Sequence, residues 1–345
     1  MTRVGLAGYG SAGRGIHAPR LVEAGCEVVA VSTADPARAA QVREDLPGAE
    51  VVRRLDELLA LPGLDLVVLA TPSGVHAEQV RAAVDARVPC VVDKPLAVDA
   101  PSGAEVVRYA EEREVPLTVF QNRRYDPEHA TLHAVVAEGM VGEPFRFEMR
   151  WERWRPVPKD RWRESSPPEE GGGILLDLHS HLVDAAVQLF GRVQRVVATV
   201  AARTTRAEDD AVLVCTHDSG VVSHLSATSL AAAPGPRVRL LGTEGAYVQA
   251  DFEGEPHLWT GQADLDPDHC GWLYGRGERV AVRRVPASQA DLYRAVAEAL
   301  AGADAQERMP VDPWDAVHTL AVIDAARASA RGQQVVEVDT PDRAG

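Results

Sequence analysis

Through the first third of the chain, short apolar runs rich in β-branched residues alternate with stretches of helical period. That pattern belongs to a parallel sheet covered by helices. Strands are predicted at residues 3–7, 27–31, 64–70, 90–92 and 117–120, with helix-period stretches at 75–86 and 102–112 between them. Asp35-Pro36 has the form of an N-cap followed by proline at the first helical position. The first 122 residues therefore read as a doubly wound α/β unit. After Asn122 the pattern changes. A helix at 127–138 and the run 143–155 lead into a proline- and charge-rich loop, 156–170, of a length that is often functional. Beyond it lie a helix at 174–190 and strand-like runs at 193–201, 211–216, 221–227, 238–241 and 246–250, many joined by glycine-containing turns. Such neighbours favour an antiparallel or mixed sheet. Helices near 288–301 and 313–331 complete an α+β second domain, taken as residues 123–345.

Of the 345 residues, 46% are hydrophobic and 25% charged, a globular composition with length for two domains. The net charge of -15 argues against nucleic acid or an anionic membrane as the main partner. Residues 1–8 enter an apolar strand at once, so a signal peptide is not expected. The apolar run at 174–190 is broken by Asp177, His179, His181 and Asp184, which argues against a membrane span. Cys26, Cys90, Cys215 and Cys270 are too widely spaced for a disulfide framework or a structural zinc site. Buried thiols in a reducing, cytoplasmic compartment are expected.

Gly8-Tyr9-Gly10-Ser11-Ala12-Gly13 follows the first strand and opens a helix. Glycines at this spacing let the backbone turn tightly and approach a pyrophosphate, whose charge meets backbone amides at a helix N-terminus. A tight turn alone would also explain the motif, and its place at the first βαβ unit decides for a dinucleotide. About 20 residues further on, NAD enzymes usually present a carboxylate to the ribose. Here the strand ends in Ser32 and Thr33, and Asp35 suits a helix cap better than a ribose ligand. Hydroxyls there remove a repulsion against a 2′-phosphate, and Arg38 is placed to reach it. NADP is expected ahead of NAD.

Asp93-Lys94-Pro95 closes a strand, so Lys94 falls at the carboxyl edge of the sheet, where an ammonium can hold and polarise a substrate oxygen. A surface lysine before a turn proline fits the tripeptide equally well. Gly171-Gly172-Gly173 precedes a helix on which Asp177, His181, Asp184 and Gln188 follow at spacings of four, three and four, a single α-helical face. A carboxylate and an imidazole one turn apart can exchange protons near neutral pH; a satisfied, half-buried histidine is the alternative. His179 and His181 form an HxH pair, but residues two apart on a helix diverge, so no metal site is expected. Asn122, Arg124, Arg155, Lys159 and Trp162 are further candidates for substrate contact, with ordinary surface roles as the alternative. Trp259 and Trp272 fit the core or an interface.

Together, Gly8 to Gly13, Thr71-Pro72 with His76, Asp93-Lys94-Pro95, and the glycine run followed by Asp177 and His181 resemble the glucose-fructose oxidoreductase, inositol dehydrogenase and rhizopine-catabolism (Gfo/Idh/MocA) family. The likeness spans nearly the whole chain. The stretches Asn122-Arg123-Arg124-Tyr125-Asp126 and Trp151 to Pro156 resemble its NADP-dependent scyllo-inositol dehydrogenase branch. The resemblance implies a Rossmann domain and an α+β domain whose large, mostly antiparallel sheet serves substrate binding and a homodimer or homotetramer. It implies that Thr71, Pro72, His76 and Lys94 lie at the cofactor, that Lys94 binds the reacting oxygen, that His181 is the general acid/base, and that Asp177 positions substrate or histidine. Hydride would then pass between nicotinamide and a secondary alcohol or ketone of a polyol or sugar. A sugar or anhydro-ketose reductase, a glycoside-modifying redox enzyme and a non-catalytic nicotinamide-sensing scaffold are the alternatives. Two departures stand out: Asp93 where the family usually has glutamate, and His179 where it commonly has glycine, a ring expected to reshape the substrate pocket.

Overall fold

The apolar runs of the first third form one six-stranded sheet in the computed structural model, which describes residues 1–159, 161–250, 265–275 and 277–343. Trp259 lies outside the described residues. The strands are β1 (Arg3–Ala7), β2 (Glu27–Ser32), β3 (Glu50–Val52), β4 (Leu66–Leu69), β5 (Cys90–Asp93) and β6 (Leu117–Phe120). They lie in the order β3-β2-β1-β4-β5-β6, and every pair is parallel. Every residue of β4, β5 and β6 is buried, which is why these segments read as unbroken apolar runs: helices cover both faces. The short edge strand β3 escaped the sequence reading because it carries only two apolar residues and is half-exposed. Asp35 caps the helix Pro36–Asp45 as expected, its Oδ1 accepting from the amides of Ala37 at 2.8 Å and Arg38 at 3.2 Å.

Residues Gln289–Val317 and the chain from Pro341 group with this first unit, not with the second as the sequence reading had it. Long-range pairing accounts for the difference. The Tyr293 hydroxyl lies 2.6 Å from His17 Nδ1, and Thr118 Oγ1 donates to the Val311 carbonyl at 2.7 Å. Gln306 acts as a substitute strand, its side-chain amide accepting from the Leu117 N–H at 2.7 Å and donating to the Leu117 carbonyl at 3.2 Å. That pairing caps the open edge of β6 at Leu117.

The second unit comprises Arg123–Ser288 and His318–Thr340. Its sheet holds β7 (Pro144–Glu152), β8 (Val193–Ala201), β9 (Asp210–His217), β10 (Val222–Thr228), β11 (Val238–Gly242), β12 (Ala246–Gln249), β13 (His269–Gly275), β14 (Glu278–Arg283) and β15 (Val336–Glu337). The order is β14-β13-β12-β11-β7-β10-β9-β8-β15, and only β7 and β10 pair in parallel. Burial alternates along β9 and β10, as in a sheet with one face covered. The helix Ser180–Phe190 packs on the covered face, where the Phe190 and Phe147 rings lie 5.2 Å apart. Trp272, on β13, is half-buried with the Arg279 guanidinium 4.0 Å from its ring. Among the described residues no helix is long and apolar enough to cross a membrane.

Buried histidines give this second unit a pH dependence. His318 Nε2 accepts from the Val193 amide at 3.1 Å, a bond that only the neutral ring can make. Burial, helped by Arg192 and His217, pushes His318 down to about 4. Burial likewise pushes His179 down to about 4 and, with His133 and Arg124, His129 down to about 3. The unfolded chain takes up these protons near pH 6.5 and the folded one does not. Their stabilisation is therefore complete above pH 6.5 and is lost as pH falls towards 4. The urea midpoint should be lower at pH 4.5 than at pH 7.5, and His318→Gln, which keeps an acceptor for Val193, should narrow that gap. An unchanged gap in the variant would show that His318 does not contribute to it.

Candidate active site

The turn that leaves β1 is shaped by two glycines. Gly8 sits at φ +93°, and a Cβ there would meet the Ala70 carbonyl oxygen at 2.6 Å. At Gly13 a Cβ would stand 2.1 Å from the Gly8 carbonyl oxygen, so the first helix reaches the strand only with glycine. Gly10 differs: a Cβ there would meet nothing nearer than the Arg38 guanidinium, at 3.9 Å. Protein packing does not demand a glycine at 10, and the space suits a backbone approached by a ligand. The Gly8 amide is spent on the Ser32 carbonyl at 3.0 Å, while amides of the first helical turn have no acceptor within their helix. Ser11 is exposed there and Ala12 half-buried.

Tyr9, Gly10, Ser11, Arg14, Arg38 and Gln41 line an open recess of about 440 Å³ beside this turn. Arg14 and the Tyr9 hydroxyl both hold Asp45, at 2.6 and 3.0 Å. Burial and the bond to Asp45 push the Tyr9 hydroxyl up to about 12. Asp35, committed to its helix cap, also sits 3.5 Å from Arg38 Nε. Ser32 is buried and Thr33 half-buried, its hydroxyl accepting from the Asp35 amide at 3.3 Å.

Lys94 follows β5 directly and is half-buried. Its amide donates to Asp93 Oδ1 at 2.8 Å. Burial alone would raise the Asp93 carboxyl; His17 above all, with the charges of Lys94 and His76, holds it well below the usual carboxylate range. His76 is buried, with Nδ1 2.7 Å from the Pro95 carbonyl and Nε2 2.9 Å from that of Thr71. It braces the segments that carry Thr71, Pro72 and Lys94. Asn122, also in this unit, donates to Gln289 Oε1 at 3.0 Å.

In the second unit, the Gly171–Gly173 run passes closely against Ser166 and Glu208. The following segment is not wholly α-helical: Leu175–His179 forms a π-helical turn before the helix Ser180–Phe190. Asp177 lies in the π-helical turn and His181 in the first turn of the α-helix that follows. Asp177 pairs with Arg163 Nε at 3.1 Å. The His181 ring lies on Trp151 of β7, 5.5 Å between centroids at 27°. Asp184 holds the Arg124 guanidinium at 2.9 and 2.5 Å. His181, Trp151, His129, Arg123, Arg124 and Asp184 line a small recess.

His179 points elsewhere. Its ring is fully buried with Nε2 3.3 Å from the Leu225 carbonyl, so it fills the core against β10 and does not line that recess. Arg155 is half-buried, its amide donating to the Ser229 carbonyl at 2.7 Å. Lys159 is exposed, and Trp162 is half-buried with Arg163 4.5 Å over its ring. His17 and His129, absent from the sequence candidates, show no local signal beyond a histidine in an apolar helical stretch; each becomes visible only when distant strands or helices meet it.

Residues 2–121 match the model of an oxidoreductase family with an NAD-binding Rossmann fold, and residues 129–248 match the GFO/IDH/MocA C-terminal domain. The oxidoreductase YdgJ of Escherichia coli is 32% identical, covering 95% of this chain and 96% of its own. The chain belongs to the Gfo/Idh/MocA oxidoreductase family. It is also 29% identical to the scyllo-inositol 2-dehydrogenase (NADP(+)) IolW of Bacillus subtilis, over 98% of this chain and 96% of the relative. Among solved structures, the oxidoreductase yvaA from Bacillus subtilis superposes with a TM-score of 0.86 at 28% identity, covering 98% of both chains.

Two glycines of the β1 turn should separate under substitution. Gly10→Ala should cost about 1 kcal/mol of stability or less while weakening dinucleotide binding, because its methyl group enters the ligand's space. Gly13→Ala should cost about 3 kcal/mol, because its methyl group meets backbone. Thermal melting and a fluorescence titration with NADPH read the two effects, and equal melting losses would contradict the assignment.

Proposed function

We propose that this oxidoreductase is an NADP-dependent dehydrogenase of a cyclitol or closely related polyol, acting on a secondary alcohol or the corresponding ketone. The observation that carries the reading is the placement of two sites on one sheet edge. The Gly8–Gly13 turn leaves β1 and Lys94 leaves β5, with only β4 between them. At strand spacing the two exits are about 10 Å apart along the carboxyl edge. The sheet order reverses between β1 and β4, which is where dinucleotides lie across such sheets. Because the ribose-reading position follows β2, the nicotinamide half falls on the β4–β5 side, with Lys94.

Gly8, Gly10, Ser11, Ala12 and Gly13 would hold the pyrophosphate, with Ser32, Thr33, Thr71 and Pro72 at the flanking strand ends. A bound nicotinamide supplies the hydride acceptor in the oxidative direction. Lys94 holds the substrate oxygen and stabilises the charge that develops on it. His181 takes the hydroxyl proton and returns it in reduction. Asp177 and Arg124, each held by an ion pair, orient the substrate end of the second unit together with Arg155 and Trp162. The NADP preference is supported by Asp35, whose carboxylate is occupied by its helix cap, and by Arg38 beside Gly10. Similarity to IolW over nearly the full length supports the cyclitol class.

A panel of inositols, free sugars and glycosides, assayed with NADP and NAD by absorbance at the reduced nicotinamide, tests the substrate. Turnover confined to sugars or glycosides would overturn the cyclitol assignment. Lys94→Ala and His181→Ala should each lower kcat by roughly a hundredfold or more while NADPH still binds. Wild-type turnover in either would end its catalytic role. Arg38→Ala should raise the KM for NADP about tenfold and leave that for NAD unchanged; an equal change in both would refute the 2′-phosphate contact.

A further inference from the structure

We propose that His17 is a positioning residue for Lys94, acting through Asp93, and that Tyr293 fixes the orientation of its proton. The proposal rests on the catalytic role of Lys94. His17 ends the π-helical turn Gly13–His17 and is fully buried. Its ring lies 4.3 Å from Phe120, which in turn stacks on Tyr293 at 5.2 Å. Nδ1 is 2.6 Å from the Tyr293 hydroxyl, and Nε2 faces Asp93 Oδ2 at 3.6 Å. At 3.6 Å an N–H dipole on Nε2 aimed at the carboxylate favours its charged form.

The two ends of this relay set the direction of its protons. Tyr293 is buried with Asp93 and Cys26 nearby, which keeps its hydroxyl protonated. In the proposed relay this hydroxyl donates to Nδ1, so that the ring proton sits on Nε2 and points to the carboxylate. Asp93 then presents Oδ1 to the Lys94 amide at 2.8 Å. The charged and titratable groups that act on Asp93 are His17, Lys94 and His76. His76 bonds the Pro95 and Thr71 carbonyls and secures the other side of the same turn. A buried carboxylate without His17 would take up a proton and lose both its charge and its hold on the lysine backbone. Aspartate is one methylene shorter than glutamate, and an imidazole reaching in from the first helix meets the shorter side chain here.

The protein supplies a clean probe. Only two of its 36 basic residues are lysines, Lys94 and Lys159. Protein labelled with [15N]lysine therefore gives two backbone amide signals, and the one absent from Lys159→Arg is not that of Lys94. In wild type the Lys94 amide signal should hold its position from pH 8 to pH 5. In His17→Leu it should move within that range as Asp93 protonates. Tyr293→Phe, which keeps the ring packing, should shift in the same direction and by less; it carries the test alone if His17→Leu does not fold. His17→Gln, whose amide can donate to Asp93, should restore the wild-type response. Identical behaviour in all variants would overturn the proposal, as would a loss not rescued by glutamine.

Turnover supplies a second readout. His17→Leu should lower kcat/KM on the best polyol of the panel roughly ten- to a hundredfold, with the acid limb of its pH profile moved upward and NADPH affinity unchanged. An unmoved acid limb counts against the relay. If Lys94→Ala keeps wild-type turnover while the amide signal behaves as expected, the catalytic reading of Lys94 fails and the Tyr293–His17–Asp93 relay stands as a structural element.

Discussion

Parallel pairing obliges the strands of the first unit to end at one edge. The registers of β1 with β4 and of β4 with β5 bring Ala7, Leu69 and Val92 level with one another on neighbouring strands. The segments beyond the strand ends therefore gather on the same rim: the glycine turn after β1, Thr71 and Pro72 after β4, and Asp93 with Lys94 at the end of β5. No local propensity makes these segments neighbours. The sheet does, and the helices that bury both of its faces leave the rim as the place where backbone amides and charged side chains remain open to a ligand.

Placing a carboxylate and an ammonium on that rim costs desolvation, and the first unit meets the cost with partners drawn from four parts of the chain. Asp93 is faced by His17 from the first helix, by the Lys94 amide from its own turn and by the charge of His76. Tyr293, 276 residues beyond His17, closes the set. A helix from the far end of the sequence thus completes the ground beneath Lys94, which gives a physical reason for residues Gln289–Val317 to belong with the N-terminal segment.

The second unit handles its polar groups differently. On β7, Trp151 has the guanidinium groups of Arg123, Arg153 and Arg237 at 5.1, 5.2 and 5.2 Å from its ring. The His181 imidazole stacks on the same indole. Aromatic area and cations share one surface here, and the attraction between them helps to hold the ring in place. Asp177 and Asp184 on this segment are each tied to an arginine.

The positions of the Rossmann strands other than β3, the N-cap at Asp35 and the glycine turn were legible in the sequence because each depends on residues within a few positions: apolar runs of one strand's length, a carboxylate before a proline, and glycines where a side chain would strike backbone. The family resemblance was legible because several such signals recur at fixed separations. The edge strand β3, the π-helical turn at Leu175–His179 and the turning of His179 into the core were not, since each is set by what the segment packs against. Nor could the sequence show that Gln306 would complete the edge of β6 or that His17 would face Asp93. Local chemistry determines turns, caps and strand-length runs by steric rules that act between neighbours. Which distant groups meet, and hence which buried charges keep their charge, depends on packing across the sheet, and that only the tertiary structure decided.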